Sequence, residues 1–461
     1  MDIIQHVMTE ISKMMSRNIE LTQNKQLPFN ELISNVQETM NQVGIALVED
    51  YIVQLDTILR KDTTRKELYH VQRNKDQKLI ATTMGDIILD RTYYKNKQTG
   101  EFSYLVDDYL ELEPHARMDL GLTAAILEKA KDLSYQKTID SFKNISIHSR
   151  SSVMNVVHKH LVEPTEADLP AHKKSIDRLY IEADEDHVAY QDGTNRFMKL
   201  VYVYEGRKES TGITKRVELQ GKRYFTGLYP DNDDLWETVL DYLEEAYDLN
   251  QVKKIYISGD GAAWIKSGTK MIPKSEFVLD YFHLSKYIKK ACIGHHEWIS
   301  NLYRWIYSNE KELLKLYFKT RLDDDLRESE RKALEESRRY ILRHWEAIQK
   351  QKDPNYYGCS AEGHISHILS ARLSSRPLGW SLTGAEHIAK LRAYTFNGGD
   401  IKTALKRENK TRIRQLAIKK LDKRVNRKYT QQFQPVYGGL PALTQYKKSP
   451  LSFVLKGIRG K

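Results

Sequence analysis

Three acidic residues, far apart in the chain, have settings suited to hard-cation chemistry: Asp184, Asp260 and Glu362. Asp184 closes the apolar run Leu179-Tyr180-Ile181-Glu182-Ala183-Asp184. Asp260 closes a second run, Ile255-Tyr256-Ile257-Ser258-Gly259-Asp260, and is followed by Gly261. Glu362 stands in Cys359-Ser360-Ala361-Glu362-Gly363-His364, at an expected helix start. Carboxylate oxygens suit Mg²⁺ or Mn²⁺, and a pair of such ions can activate a nucleophile and steady a leaving oxygen in phosphoryl transfer. Simpler roles stand beside each candidate. An Asp-Gly pair often makes only a turn. Gly261 would also let backbone approach a substrate phosphate closely. Glu182, Asp184 and Asp186 share one strand face, so alternation does not separate them. A Glu in a first helical turn is favoured by the helix dipole alone, and Glu386 competes for the role of Glu362. Asp280 and His283 lie one helical turn apart, and a capping Asp beside an exposed His would explain them. G-x-S-x-G and P-loop patterns are missing, which leaves serine-nucleophile, kinase and dehydrogenase chemistry without footing.

These residues need a sheet to position them. Strands are expected at about 178–184, 197–204 and 215–226, with Gly221 marking a turn or bulge. Leu235, Trp236, Val239, Leu240, Leu243 and Tyr247 then define an amphipathic helix. The run 254–259 suits a buried central strand, and Glu276–Leu279 a short fifth one. The expected class is therefore α/β within a multi-domain α+β chain: a mixed sheet with helices packed on it. Residues 284–352 carry almost no strand signal and read as helices.

The earlier chain divides by period. Residues 1–60 read as helix, with Asn30 as a cap and Val36, Met40, Val43, Leu47, Tyr51, Leu55 and Ile58 as an apolar stripe. Such a stripe could be a dimer seam, but it more commonly packs on the next domain. Residues 78–106 suggest a β-meander. Helices are expected around Leu122–Ala130, Ser134–Phe142 and His148–His160, with helix-turn-helix spacing and Arg150, His158 and Lys159 on the last. The expected division is 1–66 helical, 67–118 β-rich, 119–165 helix-turn-helix-like, 171–292 first catalytic part, 293–355 helical insertion, 356–400 last catalytic part with Glu362, and 401–461 a basic segment.

Of the net charge of +11, residues 401–461 hold 17 Lys and Arg against Glu408 and Asp422, a local +15, so the other 400 residues sum to −4 (11 − 15). That end of the chain suits a polyanion, with Lys406, Arg407, Arg412, Arg414, Lys419 and Lys420 as candidate phosphate contacts. Beyond Gln431, Pro435, Gly438, Gly439 and Pro441 argue for irregular chain. Two cysteines, Cys292 and Cys359, are too few for a disulfide framework and suit a reducing compartment. No apolar run approaches a membrane span.

The stretches Tyr180–His187, Ile257–Trp264, Leu279–Leu284 and Ser360–His364 resemble the catalytic region of DDE-type bacterial transposases. They are most similar to the ISLre-type insertion-sequence family, a relative of the Mutator-like group. The resemblance implies a ribonuclease-H-like mixed sheet carrying an all-helical insertion. It implies Asp184, Asp260 and Glu362 as catalytic and metal ligands for Mg²⁺ or Mn²⁺, with Asp280 and His283 as a D-x-x-H element beside them and Asp186 as the alternative to Asp184. It implies DNA as partner, both element terminal inverted repeats and target DNA, bound by a homodimer or higher homo-oligomer near the nucleoid. The expected activity is strand cleavage at element ends followed by strand transfer. A nuclease of this fold without joining activity and a domesticated DNA-binding protein are the alternatives.

Overall fold

The computed structural model describes residues 3–142, 144–164, 168–208, 218–376 and 378–432; from residue 416 on, the only side chain described is that of Ile418. Pro435, Gly438, Gly439 and Pro441 lie outside the described residues, as do the side chains of Lys419 and Lys420. The chain forms two units, Met1–Met118 with Lys406–Lys461, and Asp119–Leu405.

The first unit opens with helices α1 (Ile3–Gln23), α2 (Phe29–Lys61) and α3 (Thr63–Leu68). A meander follows, β1 (Tyr69–Thr82), β2 (Gly85–Asn96) and β3 (Phe102–Tyr104), then α4 (Leu105–Tyr109). Pro28, not Asn30, stands at the α2 N-cap, and no side chain caps it. The face of α2 that packs is Ile52, Leu55 and Leu59, against Ile80, Ile87, Leu89 and Tyr94. The stripe read from spacing is split by this choice: Leu55 packs, while Met40, Leu47, Tyr51 and Ile58 are exposed. Asp56 explains the rotation. It is buried and accepts the backbone N–H of Thr92 at 3.0 Å and its hydroxyl at 2.6 Å, which fixes the helix on β2.

The second unit begins with α5 (Leu120–Ala130), α6 (Tyr135–Asp140) and α7 (Arg150–Lys159). Asp119, Ser134 and Ser149 cap them in turn. Leu122, Ile126, Leu127 and Ala130 are all buried. These helices pack within the same unit as the large sheet. The Arg372 guanidinium donates to the Ala130 carbonyl at 3.1 Å, and that of Arg392 to Lys131 at 2.7 Å.

The sheet is built from β4 (Arg178–Ala189), β5 (Asn195–Tyr204), β8 (Arg223–Gly227), β9 (Lys254–Gly259) and β10 (Ser275–Leu279), with a small ribbon, β6 (Gly206–Lys208) and β7 (Glu218–Gln220), between β5 and β8 in the chain. Its order is β10-β9-β4-β5-β8. The first three strands in sequence pair antiparallel; β9 and β10 add parallel on the other side of β4. A mixed five-stranded sheet was the expectation, and it is what the chain forms, but the strand expected at 215–226 is divided at Gly221: Glu218–Gln220 pairs with β6, and only Arg223–Gly227 joins the sheet.

The two sheet faces differ in chemistry, and alternation decides which residue goes where. Leu179, Ile181, Ala183, Val201, Val203, Ile255 and Ile257 face an apolar core. That core is covered by α8 (Asn232–Ala246), α9 (Ala263–Met271) and α10 (Tyr281–Ala291). It extends into α11 (Ile299–Tyr307), α12 (Lys311–Asp323), α13 (Glu328–Arg343) and α14 (Trp345–Gln349), through Leu302, Phe318, Ile341 and Trp345. The helices expected in this region are thus continuous with the sheet's own core. The opposite face is tyrosine-rich: Tyr180 stacks on Tyr204 and Tyr256 at 5.1 and 5.3 Å. It is covered by the late chain, including α15 (Ala361–Ile365), a π-turn at Ser366–Ser370 and α16 (Ala371–Leu373). Burial on both faces is why the strands read as nearly unbroken apolar runs. The unit closes with α17 (Leu382–Phe396) and the start of α18 (Ile401–Gln432), whose Ile401 and Leu405 are buried.

Candidate active site

Asp184 and Asp260 are brought level by strand register. The parallel β4–β9 pairing runs from Arg178 opposite Lys254 to Glu182 opposite Ser258. Asp184 and Asp260 each lie two residues beyond that last pair, Asp184 still within β4 and Asp260 just past the end of β9. Asp184 does not end its strand. β4 continues to Ala189 because its pairing with β5 persists to Asn195, after its neighbour β9 has ended. A close approach fixes this parting: a Cβ on Gly259 would lie 2.6 Å from the Ala183 carbonyl oxygen.

Asp184 is buried. Its carboxyl is pushed up to about 6, first by burial, with Asp260 and Glu362 also raising it, while the Glu185 backbone N–H and His283 hold it down. The three acids therefore share one electrostatic neighbourhood despite their separation in sequence. None of them is ion-paired to Lys or Arg among the described residues. They are not drawn into a closed cluster: among the described residues no group of three or more His, Cys, Asp or Glu is disposed to hold a metal ion. The donor set itself, unneutralised carboxylate oxygens in a partly dry setting, fits a hard divalent cation. Glu185, the next residue, is half-buried, and burial and Asp260 raise its carboxyl.

Glu362 is exposed in the first turn of α15. It is held over the sheet by a neighbour that spacing did not single out. Glu182 is fully buried and accepts from Tyr202, from Tyr204 at 2.7 Å, and from the Ser360 backbone N–H at 2.6 Å and hydroxyl at 3.2 Å. These donors hold two strands and the start of α15 together. Asp186 performs a similar task on the far side of Asp184, accepting from Ser370 at 3.0 Å and Ser374 at 2.8 Å. The three acids on one strand face thus divide: Glu182 and Asp186 anchor the late chain, and Asp184 lies between them. Glu386 is paired with Lys390 at 3.1 Å.

Asp280 caps α10, accepting from the Phe282 backbone N–H at 3.0 Å, and its other oxygen is 3.0 Å from His283 Nδ1. His283 is not exposed. Burial opposes its charging, but the Asp280 contact, then Asp184 and Asp260, raise its pKa above the ordinary histidine value. Cap and histidine partner are the same carboxylate, so the pair belongs to this neighbourhood.

The helical region reaches Asp260 from the other side. The Tyr340 hydroxyl of α13 donates to the Asp260 carbonyl. Gly261 has a φ of +92°, and the His344 ring fills the space a Cβ would need, at 2.6 Å. The glycine thus makes room for an imidazole of this chain, where the sequence suggested a substrate phosphate. Burial, with Lys266 and Arg343, pushes His344 down to about 4. A histidine kept neutral by the fold but free to charge when unfolded stabilises the fold above about pH 6.5. That stability drains away as pH falls from there toward 4. Relative to the wild-type chain, His344→Gln is expected to lose less urea resistance as pH falls across this window, read as the difference between their urea midpoints.

The proposed DNA contacts have separate placements. Arg150 and Lys159 lie on the exposed surface of α7. His158 turns inward, its Nε2 3.0 Å from the Ser381 hydroxyl that caps α17, and so is committed to packing. Arg412 is held by Glu113 at 2.8 Å and by Glu408. Lys406 and Arg414 are exposed, and Arg407 is half-buried.

The family described as an uncharacterised protein family, UPF0236, matches residues 21–410. A UPF0236 protein of Caldanaerobacter subterraneus subsp. tengcongensis is 39% identical over 401 residues, covering 87% of this chain and 84% of its own; its name joins eleven designations from that organism. A second from the same organism is 40% identical over 380 residues, covering 82% and 80%. A UPF0236 protein of Streptococcus gallolyticus is 25% identical over 415 residues, covering 85% and 86%. A solved structure described as the Drosophila P element transposase strand transfer complex aligns with 66% of this chain and 81% of its own at 12% identity. Its TM-score of 0.21 carries no argument.

Proposed function

We propose that this chain, which belongs to the uncharacterised protein family UPF0236, is a metal-dependent DNA-cutting and joining enzyme of the DDE transposase type. The observation that carries the proposal is the level placement of Asp184 and Asp260 at the parting of β4 and β9, with Glu362 delivered to the same neighbourhood from the late chain. The strand order supports a ribonuclease-H-like reading: three antiparallel strands, then two parallel strands added beyond the first. The relative whose name joins eleven designations in one organism is also consistent with a self-spreading element.

Asp184, Asp260 and Glu362 would hold Mg²⁺ or Mn²⁺. Bound there, the ions supply the charge that activates an attacking oxygen and steadies a leaving one. The chain's own residues position and screen. Glu182 and Asp186 fix the late segment, Tyr340 fixes the Asp260 loop, and Asp280 orients His283 beside the reacting phosphate. Water and then a DNA 3′-hydroxyl would serve as nucleophiles in one site, and the protein contributes position and charge in place of a covalent intermediate.

The test is a cleavage and joining assay on DNA flanking the protein's own gene. Cut ends and joined products with Mg²⁺ or Mn²⁺, and poor activity with Ca²⁺, are expected. Cleavage without joining would favour the nuclease alternative. DNA binding is expected to draw on the basic C-terminal segment. Ile401, Leu405 and Arg412 are engaged in the folded units, so the informative truncation removes residues 413–461. It should weaken binding to all sequences and flatten the salt dependence by roughly 0.9 in log–log slope for each phosphate that the shortened chain no longer neutralises. An unchanged slope would place that segment away from DNA.

A further inference from the structure

The rim of the candidate site carries aromatic side chains that the fold leaves in water. Tyr281 and Phe282 open α10, directly after Asp280, and are 51% and 50% exposed. Phe282 stands edge-on to the His283 ring at 5.3 Å. Tyr281 continues into a ladder of near-parallel rings: 6.1 Å to Tyr303 and 6.3 Å from Tyr303 to Tyr307, with interplanar angles of 22° and 6°. Neither Tyr281 nor Phe282 adds to the apolar core, which begins on this helix with Leu284 and Ile288.

Beyond the Asp280 cap, α10 and α11 themselves carry no acidic residue. Phe282, Lys286 and Lys289 follow one another at helical spacing on the exposed side of α10, and Arg304 is exposed between the two tyrosines of α11. None of these three cations is ion-paired among the described residues, whereas Lys290 nearby is bound to Glu336. Exposed aromatic faces interleaved with unneutralised cations suit a strand whose backbone is anionic and whose bases are flat. In a duplex the base faces are already stacked on one another, so the partner that gains from such a surface is an unpaired one.

We propose that the first turn of α10, with the tyrosine ladder of α11, is a stacking platform for unpaired DNA bases next to the phosphodiester held at Asp184, Asp260 and Glu362. This rests on the phosphoryl-transfer reading of that site and adds to it a preference for frayed or single-stranded DNA. Phe282 and Tyr281 bind the bases; Lys286, Lys289 and Arg304 bind the backbone.

The test measures fluorescence anisotropy of the full-length chain on two mixed-sequence oligonucleotides, a blunt duplex and the same duplex ending in an unpaired fork. The wild-type chain is expected to favour the fork by on the order of tenfold, the scale of losing one or two stacked bases. The double variant Tyr281→Ala, Phe282→Ala should lose that preference and keep its affinity for the blunt duplex. Phe282→Trp, which preserves a stacking face, should retain the preference. A fork preference equal in the double variant and the wild type would overturn the inference, as would no preference in the wild type. Failure to bind either DNA would overturn it together with the reading it rests on. An aromatic-dependent fork preference in a chain that never cleaves DNA would sustain the platform and overturn the phosphoryl-transfer reading alone.

Discussion

Asp260→Asn is expected to abolish strand cleavage and strand transfer together while leaving DNA affinity in place. The amide keeps the shape of the carboxylate. It keeps the acceptor that receives the Ala262 backbone N–H at 2.8 Å, so the loop after β9 should retain its turn. What is lost is the negative charge that a hard cation requires. Removing one preorganised charge-stabilising group from a phosphoryl-transfer site costs on the order of 10²–10³ in rate, and a shared metal site should lose at least that. Asp184→Asn and Glu362→Gln should behave alike. Asp186→Asn is the discriminating control. Asp186 accepts from Ser370 and Ser374, so its loss should lower stability and leave cleavage measurable. Turnover of labelled DNA by each purified variant, with binding measured in parallel, checks the set. Full cleavage by Asp260→Asn would remove Asp260 from the site.

The second large effect is expected at Glu182, a residue placed outside the metal set. Glu182→Ala leaves the buried Tyr202 and Tyr204 hydroxyls and the Ser360 N–H without their shared acceptor. Leaving several buried donors unpaired costs on the order of 3 kcal/mol or more. Glu182→Gln keeps the shape but turns an N–H₂ toward some of these donors, and should cost about 1–2 kcal/mol. Denaturant midpoints measure both. Beyond stability, the start of α15 would lose its tie to β4, and a misplacement of Glu362 by about 1 Å can cost on the order of 10² in rate. Glu182→Gln should therefore lower cleavage in conditions where the chain is fully folded. Unchanged cleavage by folded Glu182→Gln would show that Ser360 does not position Glu362 through this carboxylate.

How much of this was legible before the structure depends on how local each signal is. The strands at Leu179, Phe197 and Ile255 announce themselves because both faces are covered and the runs stay apolar. The start of α2 was misread at Asn30, since the helix begins after Pro28 with no side chain capping it. Asp184 and Asp260 stand out at the ends of apolar runs, but that they lie level depends on the β4–β9 register, which neither run contains. Alternation puts Glu182, Asp184 and Asp186 on one face and can say no more, since their partners lie more than 170 residues later for Ser360, Ser370 and Ser374. A signal for Glu182 was present in Tyr180, Tyr202, Tyr204 and Tyr256, which line a polar sheet face with hydroxyl donors. The His344 ring against Gly261 comes from a helix distant in sequence and leaves no local trace. On α2 the periodicity was real, but Asp56 bonding to Thr92 turned a neighbouring face inward.

Asp184, Asp260 and Glu362 are proposed to bind divalent cations as one site. This is tested most directly by titrating the wild-type chain with Mn²⁺ and reading bound ion by electron paramagnetic resonance. The expected result is saturable Mn²⁺ binding that Mg²⁺ displaces and that Asp260→Asn and Asp184→Asn each abolish, while Asp186→Asn retains it. Mn²⁺ binding that survives both substitutions, or none in the wild-type chain with DNA present, would contradict it.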